Sequence, residues 1–344
     1  MTTPAEYPRD LLRVCAGLLL SAVFSIAFAS AAPQEIEVPA WFKHSFLDLR
    51  DDVKDAAGAK KRVMIYFGQN GCPYCKRLMD VNFRQKDIID KTRAHFDVIE
   101  LNILGNREVT GMDGKTRSEK DLSALLKVQF TPTLLFLDEM GAIALRINGY
   151  YPPERFMTAL DYVAQRNENK ISFADFQQRG QRSGNAGALR DESFFRKPPY
   201  DFDRRKPAQR PLVIFFEQRT CADCDELHAN ALNNDLTRRL LSRFDVYQLD
   251  LHGSEPLIAP NGSRTTAQRW GNSLKVLYAP SVVFFDGHGR EVFRVEAYMR
   301  AFHLQSALEY VSSGAYLKEP SFQRYVQARA DTIREQGGRV DIMQ

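Results

Sequence analysis

Outside the apolar run near its start, which holds Cys15, the chain has four cysteines, arranged as two pairs with the same two-residue gap. Cys72 and Cys75 lie in GCPYCKRLMD, Cys221 and Cys224 in TCADCDEL. Thiols at that spacing can open and close as an exchangeable disulfide, supply half of a tetrahedral zinc site, or staple a loop. A staple gains most by closing a long loop, because that restricts the unfolded chain. A two-residue gap gains little, so local pairs speak for exchange. Zinc would need the two pairs, one in each half of the chain, to converge.

The elements that must hold these pairs occur twice. Shifted against itself by 148 or 149 positions, the sequence lays RVMIYFGQNGCPYC over PLVIFFEQRTCADC, FDVIELNI over FDVYQLDL, and LKVQFTPTLLFLDEMG over LKVLYAPSVVFFDGHG. RINGYYPPERFMTALDYV over RVEAYMRAFHLQSALEYV extends the match. A period this long means two whole domains rather than a solenoid. In the first copy FLDLRDDVKDA has amphipathic helical spacing, RVMIYF reads as a buried strand, and PYCKRLMDVNF is helical again. The cysteines therefore sit where a strand hands over to a helix. FDVIELNI is a second strand, and Ser118 to Asp121 caps a helix leading to Leu126. PTLLFL and AIALRI flank the turn DEMG as a hairpin, and Pro152 and Pro153 open a last helix. The order β, α, β, α, β, β, α gives an α/β fold of two tandem domains, each a central mixed β-sheet flanked by helices. The expected division is a leader at 1–32, a first domain at 40–170, a Gly-, Pro- and Arg-rich linker at 171–195, a second domain at 196–316, and a helical tail at 317–344 packed on the second domain.

In each copy a strand is followed by C-x-x-C opening a helix, and later by a proline just before another strand: Cys72 with Thr131-Pro132, Cys221 with Ala279-Pro280. This constellation, twice in register, resembles the thioredoxin-like superfamily, especially exported proteins of the SoxW and Dsb type. The resemblance spans most of each half. REVTGMDGKTRSEKDLSALLKV, repeated as PNGSRTTAQRWGNSLKV, looks like the SoxW-like branch. The family implies that Pro132 and Pro280 are cis and lie beside the disulfides. It also implies that the backbone at Thr131 and Ala279 pairs with an extended substrate segment. Many thioredoxins carry Trp just before the first cysteine and a buried Asp six positions before it. Here Gly71 and Tyr66, then Thr220 and Phe215, hold those places, so no proton acceptor carries over.

The attacking species in exchange is a thiolate, which the free amides and dipole of a helix start stabilise. Cys72 and Cys221 are therefore expected to be the exposed attackers. Cys75 and Cys224, one helical turn on, resolve the mixed disulfide. Lys76 and Arg77 favour a thiolate in the first pair, whereas Asp223, Asp225 and Glu226 oppose one in the second. That contrast makes the first site the better oxidant and the second the better reductant, with electrons passing from the second to the first.

Composition excludes other classes. At 344 residues, 44% apolar and 26% charged, the chain is an ordinary globular one. A net charge of +4, with cations clustered only between 179 and 210, argues against nucleic-acid binding, which needs many phosphate contacts. His44, His95, His252, His288 and His303 form no ligand pattern. His228, within helical reach of the second pair, reads as a solvent-facing helix residue. No phosphate-binding loop or Ser/His/Asp arrangement stands out, so no cofactor and no metal is expected. Arg9 and Arg13 precede the run VCAGLLLSAVFSIAFASAA, and Ala29-Ser30-Ala31 supplies a cleavage pattern. A secretory leader ending near Ala32 or Pro33 is expected in preference to an uncleaved anchor. That places the body in a periplasm, where disulfides form. The function these features imply is a periplasmic thiol–disulfide oxidoreductase acting on protein thiols and disulfides, served by a membrane or periplasmic redox partner. The alternatives are a client-binding scaffold with inert disulfides and a zinc–thiolate protein.

Overall fold

The computed structural model describes residues 35–180, 187–296 and 299–340. The expected leader at 1–32 lies outside them. In the first copy Asp48 starts α1 (Leu49–Gly58) by accepting the Arg50 amide on its carboxylate at 3.0 Å, which satisfies one of the free donors of a helix start. β1 (Arg62–Gly68) is buried along its whole length, as an apolar run covered on both faces must be. Behind it, α2 (Pro73–Arg77) runs on into a widened π-type turn at Leu78–Asn82. Then come α3 (Lys86–His95), β2 (Phe96–Asn102), the ribbon β3 (Glu108–Thr110) and β4 (Thr116–Ser118), and α4 (Glu119–Leu125). The hairpin β5 (Thr133–Leu137) and β6 (Ile143–Asn148) and the helix α5 (Pro153–Ala164) complete the copy.

The sheet order is β2-β1-β5-β6, with β1 parallel to β2 and antiparallel to β5. Side chains alternate across a strand, so Val63, Ile65 and Phe67 face one core with Leu49, Val53 and Ile99. Met64 and Tyr66 face the other with Cys75, Leu78 and Phe156. The cysteine-bearing helix packs on that second face.

After α6 (Phe173–Gly180) and the short β7 (Tyr200–Asp201), the plan repeats. β8 (Leu212–Glu217) leads into α7 (Ala222–Glu226), again with a π-type extension, Leu227–Leu232. α8 (Asp235–Leu241), β9 (Asp245–Asp250), β10 (Pro256–Ile258), β11 (Arg264–Thr266) and α9 (Ala267–Ser273) follow. β12 (Ser281–Phe285), β13 (Glu291–Val295), α10 (Ala301–Ser312) and the tail helix α11 (Phe322–Glu335) end the chain's described elements. The second sheet runs β13-β12-β8-β9 with the same sense of pairing.

Two features depart from the sequence reading. The segment expected to be a linker opens with α6, whose Phe173 lies buried in the first core against the Tyr162 ring at 5.1 Å. The tail helix buries Phe322, Val326 and Ala330 in the second core, but its start also reaches the first copy. The Phe322 amide donates to Gln129 Oε1 at 3.2 Å, Gln323 Nε2 to the Gln129 carbonyl at 3.1 Å, and Gln69 Nε2 to Gln323 Oε1 at 3.2 Å. Among the described residues no helix is long and apolar enough to cross a membrane.

Candidate active site

Each cysteine pair is closed as a disulfide, Cys72 with Cys75 and Cys221 with Cys224. Cys72 is the N-cap of α2, with Pro73 at the first helical position, where its missing amide costs nothing. Its Sγ accepts the Cys75 amide at 3.0 Å and lies 3.3 Å from the Thr131 carbonyl. Cys221 caps α7 in the same way: its Sγ accepts the Cys224 amide at 3.1 Å and lies 3.6 Å from the Ala279 carbonyl. The Thr131-Pro132 and Ala279-Pro280 peptides are both cis. All eight residues singled out from the sequence thus form two centres of one design.

Exposure differs from what the sequence suggested. Cys72 and Cys221, expected to be open, are 4% and 5% exposed. Thr131 and Ala279, expected to meet a substrate segment, are 7% and 1% exposed. At the first centre part of the cover comes from the opposite domain. Tyr278, the residue before Ala279, is buried in the first domain's core, in one cluster with Cys72 and Cys75, and stacks on Tyr151 at 4.7 Å. Phe130, the residue before Thr131, is buried in the second domain's core against Phe293 at 5.5 Å and Phe322 at 5.6 Å. Each domain lodges the aromatic residue two positions before its own cis-proline in the core of the other. The Tyr74 hydroxyl, inside the first pair, accepts the Arg300 amide at 3.2 Å, and its ring meets His303 edge-on at 5.6 Å. Asn148 Nδ2 donates to Glu296 across the same boundary. Arg155 Nη1 donates to the Ala279 carbonyl at 3.1 Å, with its guanidinium 4.5 Å from the centre of the Tyr278 ring. Sequence reading missed these residues, although an aromatic side chain two positions before the proline of both copies was a visible signal.

The charges next to the cysteines are mostly engaged. Lys76 pairs with Asp80 at 2.6 Å, and Arg77 lies over the Tyr150 ring at 5.0 Å. Asp223 accepts from the Tyr278 hydroxyl, and Asp225 pairs with Arg190 at 2.6 Å. Such pairs mute the contrast expected between the sites, since an exposed ion pair is worth little and screens its own field.

His228 corrects another expectation: it is 3% exposed rather than on a solvent face. The apolar neighbours of α7 turn it inward, where Nε2 lies 3.0 Å from Glu217 Oε2 and Nδ1 lies 3.0 Å from Glu192. Gln248 Nε2 also donates to Glu217, at 3.0 Å. Burial opposes a charge on His228, but the hydrogen bonds and fields of Glu217 and Glu192 outweigh it and raise the imidazole above its ordinary value. Glu217 ends β8 and is itself buried. At the matching places the first domain has Gly68 and Met79.

A family model described as a thioredoxin-like domain matches residues 49–164 and again 199–312. Solved structures are similar to single halves of the chain. A thioredoxin-fold protein from Helicobacter pylori is 14% identical, with 40% of this chain and 94% of that one covered and a TM-score of 0.37. A thioredoxin from Thermus thermophilus is 24% identical over 32% of this chain and 81% of that one, with a TM-score of 0.26. The C-terminal domain of DsbD from Neisseria meningitidis, in its oxidised form, is 14% identical over 34% and 92%, with a TM-score of 0.26. No curated protein matches the chain.

Proposed function

Because the chain belongs to the thioredoxin-like domain family, we propose that it is a thiol–disulfide oxidoreductase that exchanges disulfides with protein substrates. The observation that carries this reading is the doubled geometry of a closed C-x-x-C pair at a helix start, with the first sulfur beside the carbonyl before a cis-proline. Cys72 and Cys221 are the sulfurs that attack and are attacked, and Cys75 and Cys224 resolve. In the oxidising direction a client thiolate attacks Cys72 or Cys221, the S–S bond breaks, and its partner sulfur leaves and takes up a proton. The client's second thiol then gives up its proton, attacks the mixed disulfide and releases the first cysteine. Two electrons pass from the client's thiolate and thiol to the pair, which emerges as one thiolate and one thiol, and the client leaves as a disulfide. The reverse sequence reduces a client disulfide.

The apolar leader-like run and the absence of other cysteines from the body favour a periplasmic site of action. Thr131, Pro132, Ala279 and Pro280 would align an extended client once the two domains part. The test is turnover and capture. Insulin reduction should be measurable and should be lost when all four cysteines are Ser. Cys75→Ser and Cys224→Ser should each accumulate mixed disulfides through the remaining first cysteine. A folded protein that turns over no disulfide and traps no client would leave the inert scaffold as the better account.

An electron relay from the second centre to the first is a second reading, favoured by one observation. Tyr278, whose neighbour Ala279 touches Cys221, shares a buried cluster with Cys72. Its direction is the one expected from CPYCKR against CADCDE, and the Arg155 guanidinium on the Ala279 carbonyl works against it. A second-site reduction potential clearly above that of the first would overturn it.

A further inference from the structure

The position that opens the last helix of each half carries different residues in the two copies, Arg155 in the first turn of α5 and His303 in the first turn of α10. Both face the opposite domain. His303 meets the Tyr74 ring, is buried, and is held neutral by that burial, its pKa pushed down to about 4. The first centre therefore receives no cation from the second domain at this position. Arg155 does something else. Its guanidinium donates to the Ala279 carbonyl oxygen at 3.1 Å, and the Cys221 sulfur lies 3.6 Å from the same oxygen. The Tyr278 ring, 4.5 Å from the guanidinium, fixes its approach.

We propose that Arg155, lent by the first domain, is a positioning residue of the second redox centre: it holds the Ala279 carbonyl and favours the thiolate that Cys221 becomes on reduction. The inference rests on the oxidoreductase reading. When the Cys221–Cys224 bond takes up two electrons, one sulfur emerges as a thiolate and the other takes a proton. A thiolate at Cys221 would face the lone pairs of the Ala279 oxygen, an unfavourable neighbour. With that oxygen bonded to a guanidinium, the same spot becomes favourable to an anion. Arginine stays charged at every relevant pH, and an opposite charge a few ångströms away lowers an acid's pKa by about 1 to 3 units. Of the nearby acids, Asp225 is paired with Arg190, and Asp223 accepts from the Tyr278 hydroxyl. The second centre is complete only while the two domains are closed on each other, because its cation comes from the first.

The test uses the full chain equilibrated in glutathione redox buffers, with each pair quantified separately by mass spectrometry of its alkylated cysteine peptides. Arg155→Gln keeps a donor for the carbonyl but removes the charge. It should shift the equilibrium of the second pair toward the disulfide by about tenfold, equal to about 30 mV toward a more reducing potential, and leave the first pair in place. The Cys221 pKa, read from the pH dependence of iodoacetamide labelling of reduced protein, should rise by about one unit. Arg155→Lys, which keeps the charge, should stay near the wild type. A folded Arg155→Gln protein with an unchanged second pair overturns the proposal, and so does an equal shift at both pairs, which would mean simple domain separation. Failure of the wild-type pairs to equilibrate with glutathione would overturn the oxidoreductase reading and the proposal with it.

Discussion

His303 is an imidazole with no hydrogen-bond partner for its Nδ1 among the described residues, packed edge-on against Tyr74. Burial lowers its pKa from 6.5 to about 4. In the unfolded chain it takes a proton near its ordinary value, and in the folded chain only well below it. The unfolded state therefore binds more protons between those two values, and stability falls as pH drops through that window. The loss approaches about 3 kcal/mol by pH 4, at about 1.4 kcal/mol per unit. His303→Phe keeps a ring of similar size and removes the titration. Urea unfolding at pH 7 and pH 4 should show the wild type losing more stability than the variant, by up to that amount. Equal losses in both proteins would mean that His303 protonates freely in the folded state. The sequence placed His303 among scattered histidines without a ligand pattern. What it could not show is that α10 turns this residue onto the other domain.

At the scale of elements, the strand-to-helix junction of the second domain carries a buried charged pair that the first domain lacks. Glu217 at the end of β8 and His228 in the extension of α7 meet at 3.0 Å, where the first domain has Gly68 and Met79. His228→Met strands the Glu217 carboxylate, with Gln248 as its remaining buried donor. Breaking a buried pair from one side costs about 3–5 kcal/mol. The double change Glu217→Gly with His228→Met installs the first domain's own solution and should recover much of that loss in chemical denaturation. The pH dependence has a definite sign. The His228 pKa is raised above 6.5, so the pair's contribution is whole below that value and is lost as pH rises through the higher folded value. The double variant should lack this alkaline decline. The strands β1, β5 and β6 and the helix behind each C-x-x-C were legible because long apolar runs and helical spacing announce them. α3 was not, since only Ile88 and Thr92 of its ten residues are buried, too thin a stripe to stand out. The three-residue strands β3 and β4 are too short for alternation to register. His228 looked like a surface residue because periodicity along its own helix says nothing of the Glu192 and Glu217 that receive it.

For the molecule as a whole, the repeat revealed two domains and two matched centres, but not that the centres are turned toward each other. The sequence assigns no place to Phe130 or Tyr278, and only the packed chain shows each buried in the other copy. Their exchange has a consequence for reactivity. A thiol that is 4% or 5% exposed cannot meet a large reagent without movement of what covers it, so both centres should react through an open state whose population the plugs control. Removing a buried aromatic side chain costs about 3–5 kcal/mol. Much of that cost would fall on the closed arrangement alone, because Tyr278 and Phe130 bury themselves across the boundary. Tyr278→Ala and Phe130→Ala should therefore raise the rate at which reduced protein reacts with a polymer-linked maleimide by at least about tenfold, the factor that 1.4 kcal/mol supplies. Labelling by small iodoacetamide should gain less, since a small reagent needs less opening. The double variant should add little to either single change, because once the domains part neither plug has a socket. Identical polymer labelling of wild type and variants, with all of them folded by circular dichroism, would show that the cysteines reach solvent by local motion of α2 and α7 while the two domains stay closed.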